Sequence, residues 1–253
     1  MSTKLNCSIL PSSILTPSTI QCTRFYSDVP KRTPFYRKQD PYCASTEMKR
    51  FLPKDHRRII KSATMPLIKP RYYNAPRLLN RSSQTYACLE NNLAENLQPW
   101  LPSRISVSSK WSLVYSLDQH GASLSTLYNR TSQNRGPCLL VIQDSNDEIF
   151  GAYLSEGVHM DTSCYGTGEC FLWKQNKTTK MVIVYPWTMN NDYLVYSNGD
   201  FFAVGGGQGK FGLWLHSDLT HGYTESCGTF NNPSLTIDSS FECVALEIWD
   251  FQY

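Results

Sequence analysis

All 14 glycines of this 253-residue chain lie at or after Gly121, whereas 11 of its 14 prolines precede that point. Tight antiparallel turns need residues that accept positive φ, and closely spaced prolines interrupt both helices and central strands. Charge divides at nearly the same place. Residues 1–110 carry 18 Lys/Arg against 6 Asp/Glu, and residues 111–253 carry 6 against 15. A basic, proline-broken arm is thus joined to an acidic, glycine-turned domain. Such a division assigns tethering or targeting to the arm and the folded activity to the remainder.

Pro30, Pro34, Pro41, Pro53, Pro66, Pro70 and Pro76 stand among lysines and arginines with few aliphatic clusters between them. With little apolar surface to set against the entropy of ordering, residues 1–84 are expected to be a disordered basic arm. Residues 85–253 are long enough to bury a core of their own. Residues 1–26 hold Lys4, Arg24, many Ser and Thr, and no acid. Together with Arg24-Phe25-Tyr26-Ser27, an arginine-aromatic-small pattern of the kind matrix processing peptidases cut, this composition is that of a mitochondrial presequence. Pro11 and Pro17 interrupt the amphipathic helix such a signal forms. The expected location is the mitochondrion, with the cytoplasm as the alternative. No run of 18 apolar residues occurs, so no membrane insertion is expected. The nine cysteines are scattered without a C-x-x-C pair. They read as reduced thiols inside a cell, not as a disulfide framework or a zinc site.

Leu89, Leu93 and Leu97 recur every four residues, which predicts a helix over 84–98 ended by Pro99. Trp111, Leu113 and Tyr115 alternate as in a half-buried strand, and 117–128 reads as a second helix capped by Ser116 or Asp118. Strands follow at 138–143, 148–154, 170–174, 181–185, 193–196, 201–204, 211–215 and 243–249. Asp144-Ser-Asn-Asp147 is a hairpin turn, and Asn198-Gly199 suits a type I′ hairpin. Short strands punctuated by glycine, with few helices, predict an α+β, mainly β fold: a two-sheet antiparallel β-sandwich with a few flanking helices.

Gly207-Gln-Gly209-Lys-Phe-Gly212 matches G-x-G-x-x-G, but a strand and not a helix continues from it, so no pyrophosphate site forms and close backbone packing explains the glycines. Phe211 after Lys210 rules out a P-loop. His216 and His221 are five apart with no further ligands beside them, which fits surface or structural histidines. His120 fits a hydrogen-bonded turn histidine. Cys164 and Cys227 are expected in loops as the most exposed thiols, with Asp161, Glu169 and Glu225 nearby raising their pKa. Glu156, Glu169 and Glu225 are the carboxylates that could pair for acid–base work if they converge. The basic residues of the arm are dispersed among prolines, as in a solvated tail and not a nucleic-acid face. No catalytic residue, metal ligand, cofactor site or small-molecule substrate is assigned.

Five ordered blocks closely resemble the TLDc domain of the oxidation-resistance proteins: Trp111–Tyr128, Leu140–Glu156, Tyr165–Trp173, Gly205–Leu215 with 218–222 and 229–235, and Val244–Trp249. The resemblance covers about residues 85–253 and leaves the arm outside. It implies a two-sheet sandwich and a non-enzymatic role in protection against oxidative damage, exerted through protein–protein contact. It also implies, as an alternative, regulation of V-ATPase assembly and disassembly through the peripheral subunits of that pump. A weak thiol-based antioxidant enzyme is the rival reading. The family brings no settled catalytic residues to transfer.

Overall fold

The computed structural model describes residues 75–252. The expected presequence and nearly all of the expected disordered arm lie outside those residues. The described chain runs β1 (Arg77–Leu79), α1 (Asn91–Leu97), a 3-10 turn (Gln98–Trp100), α2 (Ser103–Ser106), β2 (Lys110–Ser116), α3 (Leu117–His120) and α4 (Leu124–Thr131). Nine strands follow: β3 (Cys138–Asp144), β4 (Ile149–Leu154), β5 (Phe171–Gln175), β6 (Val182–Pro186), β7 (Val195–Ser197), β8 (Phe201–Gly207), β9 (Lys210–His216), β10 (His221–Tyr223) and β11 (Ser240–Gln252).

Strand β11, 13 residues long, organises the fold. Its first residues pair with β10 and continue into a sheet of β10, β9, β8 and β7. From Cys243 onward it pairs with β3 on one side, and from Glu247 onward with β2 on the other, within a second sheet that runs β6-β5-β4-β3-β11-β2-β1. Every pairing is antiparallel except β1 with β2. Register shifts at 243/245 and 248/249 let the long strand bend between the two sheets.

Alternation along the strands builds two apolar layers. Leu140, Ile142, Phe150, Ala152, Leu154 and Leu172 face Phe202, Val204, Leu213 and Leu215 across the inner layer between the sheets. Leu139, Val141, Tyr153, Phe171, Trp173 and Trp249 face the other way, under Leu89, Leu93, Leu97, Leu101 and Ile105. This double coverage explains why all of β3 is buried and reads as one apolar run.

Both helical expectations change. The first helix spans only Asn91–Leu97, because Glu90 is extended (φ −87°, ψ 161°) and the residues before it are tied down by side chains instead of forming helical turns. The leucine stripe is buried as expected. Pro99 sits at the start of a 3-10 turn, where its missing N–H costs nothing. The helix expected over 117–128 is two helices, broken at Gly121 (φ 85°) and capped separately by Ser116 and Ser123.

The folded unit also takes up residues upstream of 85. Arg77–Leu79 add as a parallel edge strand, and Asn80 Nδ2 donates to Ser112 Oγ at 2.7 Å. The Asn198-Gly199 hairpin is present, but neither residue has positive φ, so it is not type I′. Instead Asn198 Oδ1 accepts the N–H groups of Asp200 and Phe201, both at 2.9 Å.

Candidate functional site

The G-x-G-x-x-G stretch is the β8–β9 hairpin. Gly207 pairs with Lys210, and the two turn residues, Gln208 (φ 56°) and Gly209 (φ 76°), both have positive φ, the backbone pattern of a type I′ turn. The sheet continues on both sides, so no helix N-terminus is aimed at a phosphate.

Two loops close against this end of β8. Thr229 Oγ1 accepts the Gly206 N–H at 2.9 Å and donates to Asn191 Oδ1 at 2.7 Å. Trp187 Nε1 donates to Asn191 O at 2.7 Å, and Thr188 donates from Oγ1 to Gly228 O at 2.7 Å and from its backbone to Thr229 O at 2.9 Å. The clamp is polar inside and displays Met189 outside, held at φ 64° with 68% of its surface exposed. Asn191 lies in no motif, and Thr229 only opens the 229–235 stretch of the family resemblance. Their role depends on pairing across 38 residues, which periodicity cannot register.

The six thiols among the described residues are withdrawn from chemistry; Cys7, Cys22 and Cys43 lie outside those residues. Cys227 is buried, contrary to its expected loop exposure, because the chain after β10 folds back under β8 and β9. Cys164 is half-buried. Burial pushes the Cys164 thiol up to about 11 and those of Cys138 and Cys243 up to about 12. Cys88, Cys170 and Cys227 are raised as well, again chiefly by burial. The expected direction for Cys164 and Cys227 holds, but desolvation is its main cause and not the neighbouring acids.

The three candidate carboxylates have separate partners. Glu156 Oε1 accepts the Gly166 N–H at 3.2 Å, Glu169 pairs with Arg104 at 2.6 Å, and Glu225 with Lys210 at 3.5 Å. His120 Nδ1 accepts the Ser116 N–H at 3.0 Å, and burial, with Arg130 nearby, lowers its pKa, so it is a neutral turn histidine. His216 and His221 do come together. Their Nδ1 atoms lie 3.0 and 2.9 Å from Asp218 Oδ2, on the surface. Among the described residues, no group of three or more His, Cys, Asp or Glu side chains is arranged to hold a metal ion.

One buried carboxylate was missed by sequence reasoning. Glu247, on the face of β11 turned to the outer layer, accepts the N–H groups of Cys88 at 3.2 Å and Leu89 at 2.8 Å and the indole N–H of Trp249 at 3.0 Å. Arg81 lies 3.6 Å away, stacks over Trp249 and donates to Leu89 O at 2.7 Å. A Glu at a buried strand position is the available signal, since charges are rarely buried without partners. It is a latch that fastens residues 81–89 to the sheet.

Residues 82–252 match the TLDc domain. Oxidation resistance protein 1 of Yarrowia lipolytica is 40% identical over 167 residues, which is 64% of this chain and 72% of that protein. Nuclear receptor coactivator 7 of Mus musculus is 41% identical over 166 residues, or 66% of this chain but 17% of that protein. Human oxidation resistance protein 1 is 39% identical over 158 residues, 62% of this chain and 18% of that protein. The chain thus spans most of the yeast relative and less than a fifth of these two animal ones. With the matched residues taking in Glu247 and its amide partners, strands β2 to β11 and the glycine hairpin, the chain belongs to the TLDc domain family.

Proposed function

We propose that this protein contributes to protection against oxidative damage by contacting other proteins, without turning over a substrate of its own. The observation that carries the reading is the state of its thiols. Among the described residues, the five buried ones and the half-buried Cys164 are all raised above the ordinary thiol range, so a peroxide would meet little thiolate there. The carboxylates that could have paired are committed to a backbone amide, an arginine and a lysine. The names of the fungal and human relatives supply the oxidative-stress role.

The proposed partner is the peripheral sector of the V-ATPase, as the family resemblance implies, and the proposed location is the mitochondrion, directed by residues 1–26. These two separate by experiment, because action on that pump requires the cytoplasmic alternative. Affinity capture should be run on mitochondrial and cytosolic fractions independently. Recovery of peripheral pump subunits from the cytosolic fraction alone favours the regulator reading.

For the chemistry, Cys164→Ser with Cys227→Ser should leave peroxide survival intact at equal protein abundance, and the purified chain should show no catalytic peroxide consumption. Turnover that depends on either thiol would establish the enzyme reading in its place.

A further inference from the structure

Strand β6 is the outer edge of its sheet and pairs only with β5. Both of its faces are occupied. Val182 and Val184 pack into the outer layer, and Tyr185 packs against the inner one. Its edge is bare: among the described residues, none beyond β5 hydrogen-bonds to the backbone of Val182–Pro186. Alternate N–H and C=O groups of a five-residue strand therefore face outward, ready to pair with another extended chain.

Charge says which chain. Residues 111–253 hold six Lys/Arg, and three of them, Lys174, Lys177 and Lys180, sit in the hairpin that leads into β6. From Cys170 to Asn191 there is no Asp or Glu. Lysines placed along an edge strand would blunt it against pairing, but Val182–Tyr185 carries no charge at all, so here the lysines select at one end without blocking the strand. Lys174 Nζ donates to Ser234 O at 3.3 Å and Lys177 Nζ to Asn146 O at 2.8 Å. Lys180, at φ 57°, lines a cavity of about 260 Å³ together with Gln175, Tyr86, Glu90 and Asp147. The two carboxylates on that wall disfavour an anion inside the cavity. An acidic chain is directed instead along β6, past Met181, a residue 49% exposed.

We propose that the β6 edge and the lysines of the β5–β6 hairpin form a docking edge that takes an extended acidic segment of a partner protein as an added strand. The proposal rests on the reading that this protein acts through protein contact, and it names the chemistry of one such contact. The chain's own residues 1–74 are the wrong occupant, since they carry 14 Lys/Arg against 4 Asp/Glu.

The test uses the full chain and fluorescent peptides. One alternates Glu and Val, a second alternates Lys and Val, and a third is the Glu/Val peptide with prolines that block strand pairing. The Glu/Val peptide should bind saturably and slow amide exchange in β6, and the other two should not. The variant Lys177→Glu with Lys180→Glu should weaken that binding by about tenfold or more, because it turns attraction into repulsion. Absence of binding up to about 1 mM overturns the proposal. So does equal binding of the lysine or proline peptide, or protection that falls elsewhere than β6. A dimer of the free chain with protected β6 amides places a second copy on the edge and also overturns it. Peroxide survival is not the readout, so failure here leaves the contact-based function standing, and failure of that function leaves this result interpretable.

Discussion

The two apolar layers of this fold are built on opposite principles. The inner layer is thiol-rich and mixes aliphatic side chains with phenylalanines, and three of its tyrosines are satisfied: Tyr115 donates to Gly121 O, Tyr128 to Asn198 O at 2.8 Å, and Tyr165 pairs with Ser197 at 2.8 Å. The outer layer holds Trp111, Trp173, Trp249 and Tyr153, and among the described residues only Trp249 of these finds a polar partner. The indole N–H groups of Trp111 and Trp173 and the Tyr153 hydroxyl are buried without one among those residues. A buried polar group left unpaired costs about 1–3 kcal/mol. The outer layer therefore gains aromatic area and loses polar satisfaction, and a short segment held by one charged latch covers it. Two sheets can seal a core by packing alone, whereas a sheet covered by short helices depends on how the cover is fastened.

Removing the latch should have the largest effect. Glu247→Ala leaves two backbone N–H groups and the Trp249 indole without their acceptor and Arg81 without its counter-ion, and should cost about 3–5 kcal/mol in urea unfolding. Glu247→Gln should recover part of that loss. If Glu247→Ala cost less than about 1 kcal/mol, the outer layer would not depend on its fastening.

The inner layer should resist added volume more than lost polarity. A Cβ on Gly205, which has φ +74°, would lie 2.6 Å from Phe230 Cδ2 and 2.9 Å from Cys227 Sγ, so Gly205→Ala should cost about 3 kcal/mol. Gly209→Ala meets no atom within 4 Å and carries only the penalty of its φ of +76°, about 1–2 kcal/mol. Equal costs for the two would show that crowding in the inner layer is relieved elsewhere.

A matched pair of hydroxyl deletions compares the layers directly. Tyr128→Phe removes a bonded hydroxyl and should destabilise by about 1 kcal/mol, while Tyr153→Phe removes an orphaned one and should be neutral or stabilising by up to about 1 kcal/mol. Thermal denaturation of the two variants side by side reads the sign. The reverse order would mean that the satisfied and unsatisfied layers have been assigned the wrong way round.

The smallest effect lies outside both layers. Partial burial pushes the Asp218 carboxyl upward, but the N–H groups of Thr220 and His221 and the His221 ring outweigh it and hold it well below the usual carboxylate range. A carboxyl depressed in the folded state stabilises it above the unfolded pKa near 4, and that stability fades as pH falls further. Because Asp218 is well exposed, the contribution should be about 0.5 kcal/mol or less, and Asp218→Asn should flatten the acid limb of the stability profile below about pH 4.

Much of the sheet was legible in the sequence because it is written in local patterns. The apolar run 138–143 became β3, and the glycines at 207 and 209 became a hairpin flanked by strands. What was not legible depended on partners distant in sequence. The expected helix from 84 was shortened by a carboxylate at 247, and Cys227 was buried by the strands it folds beneath. Strand β10 is too short to show alternation, and β1 gains its strand conformation only from lying beside β2. For the candidate site, the dispersal of reactive groups could be suspected from spacing, while the latch and the loop clamp required three-dimensional proximity.

The bent strand shared by both sheets carries a kinetic consequence. Gln252 pairs with Lys110, more than a hundred residues away, and Glu242 pairs with His221. Until that strand is in place, β2 has only the three-residue β1 beside it and the two sheets have no covalent strand in common. The loop-closure entropy of the most distant pairing must be met late, so folding should be slow for the chain's size and should end in a single concerted step. During that interval the apolar edge of β3 stands open, and in this window a chaperone, or a neighbouring copy, would compete for it.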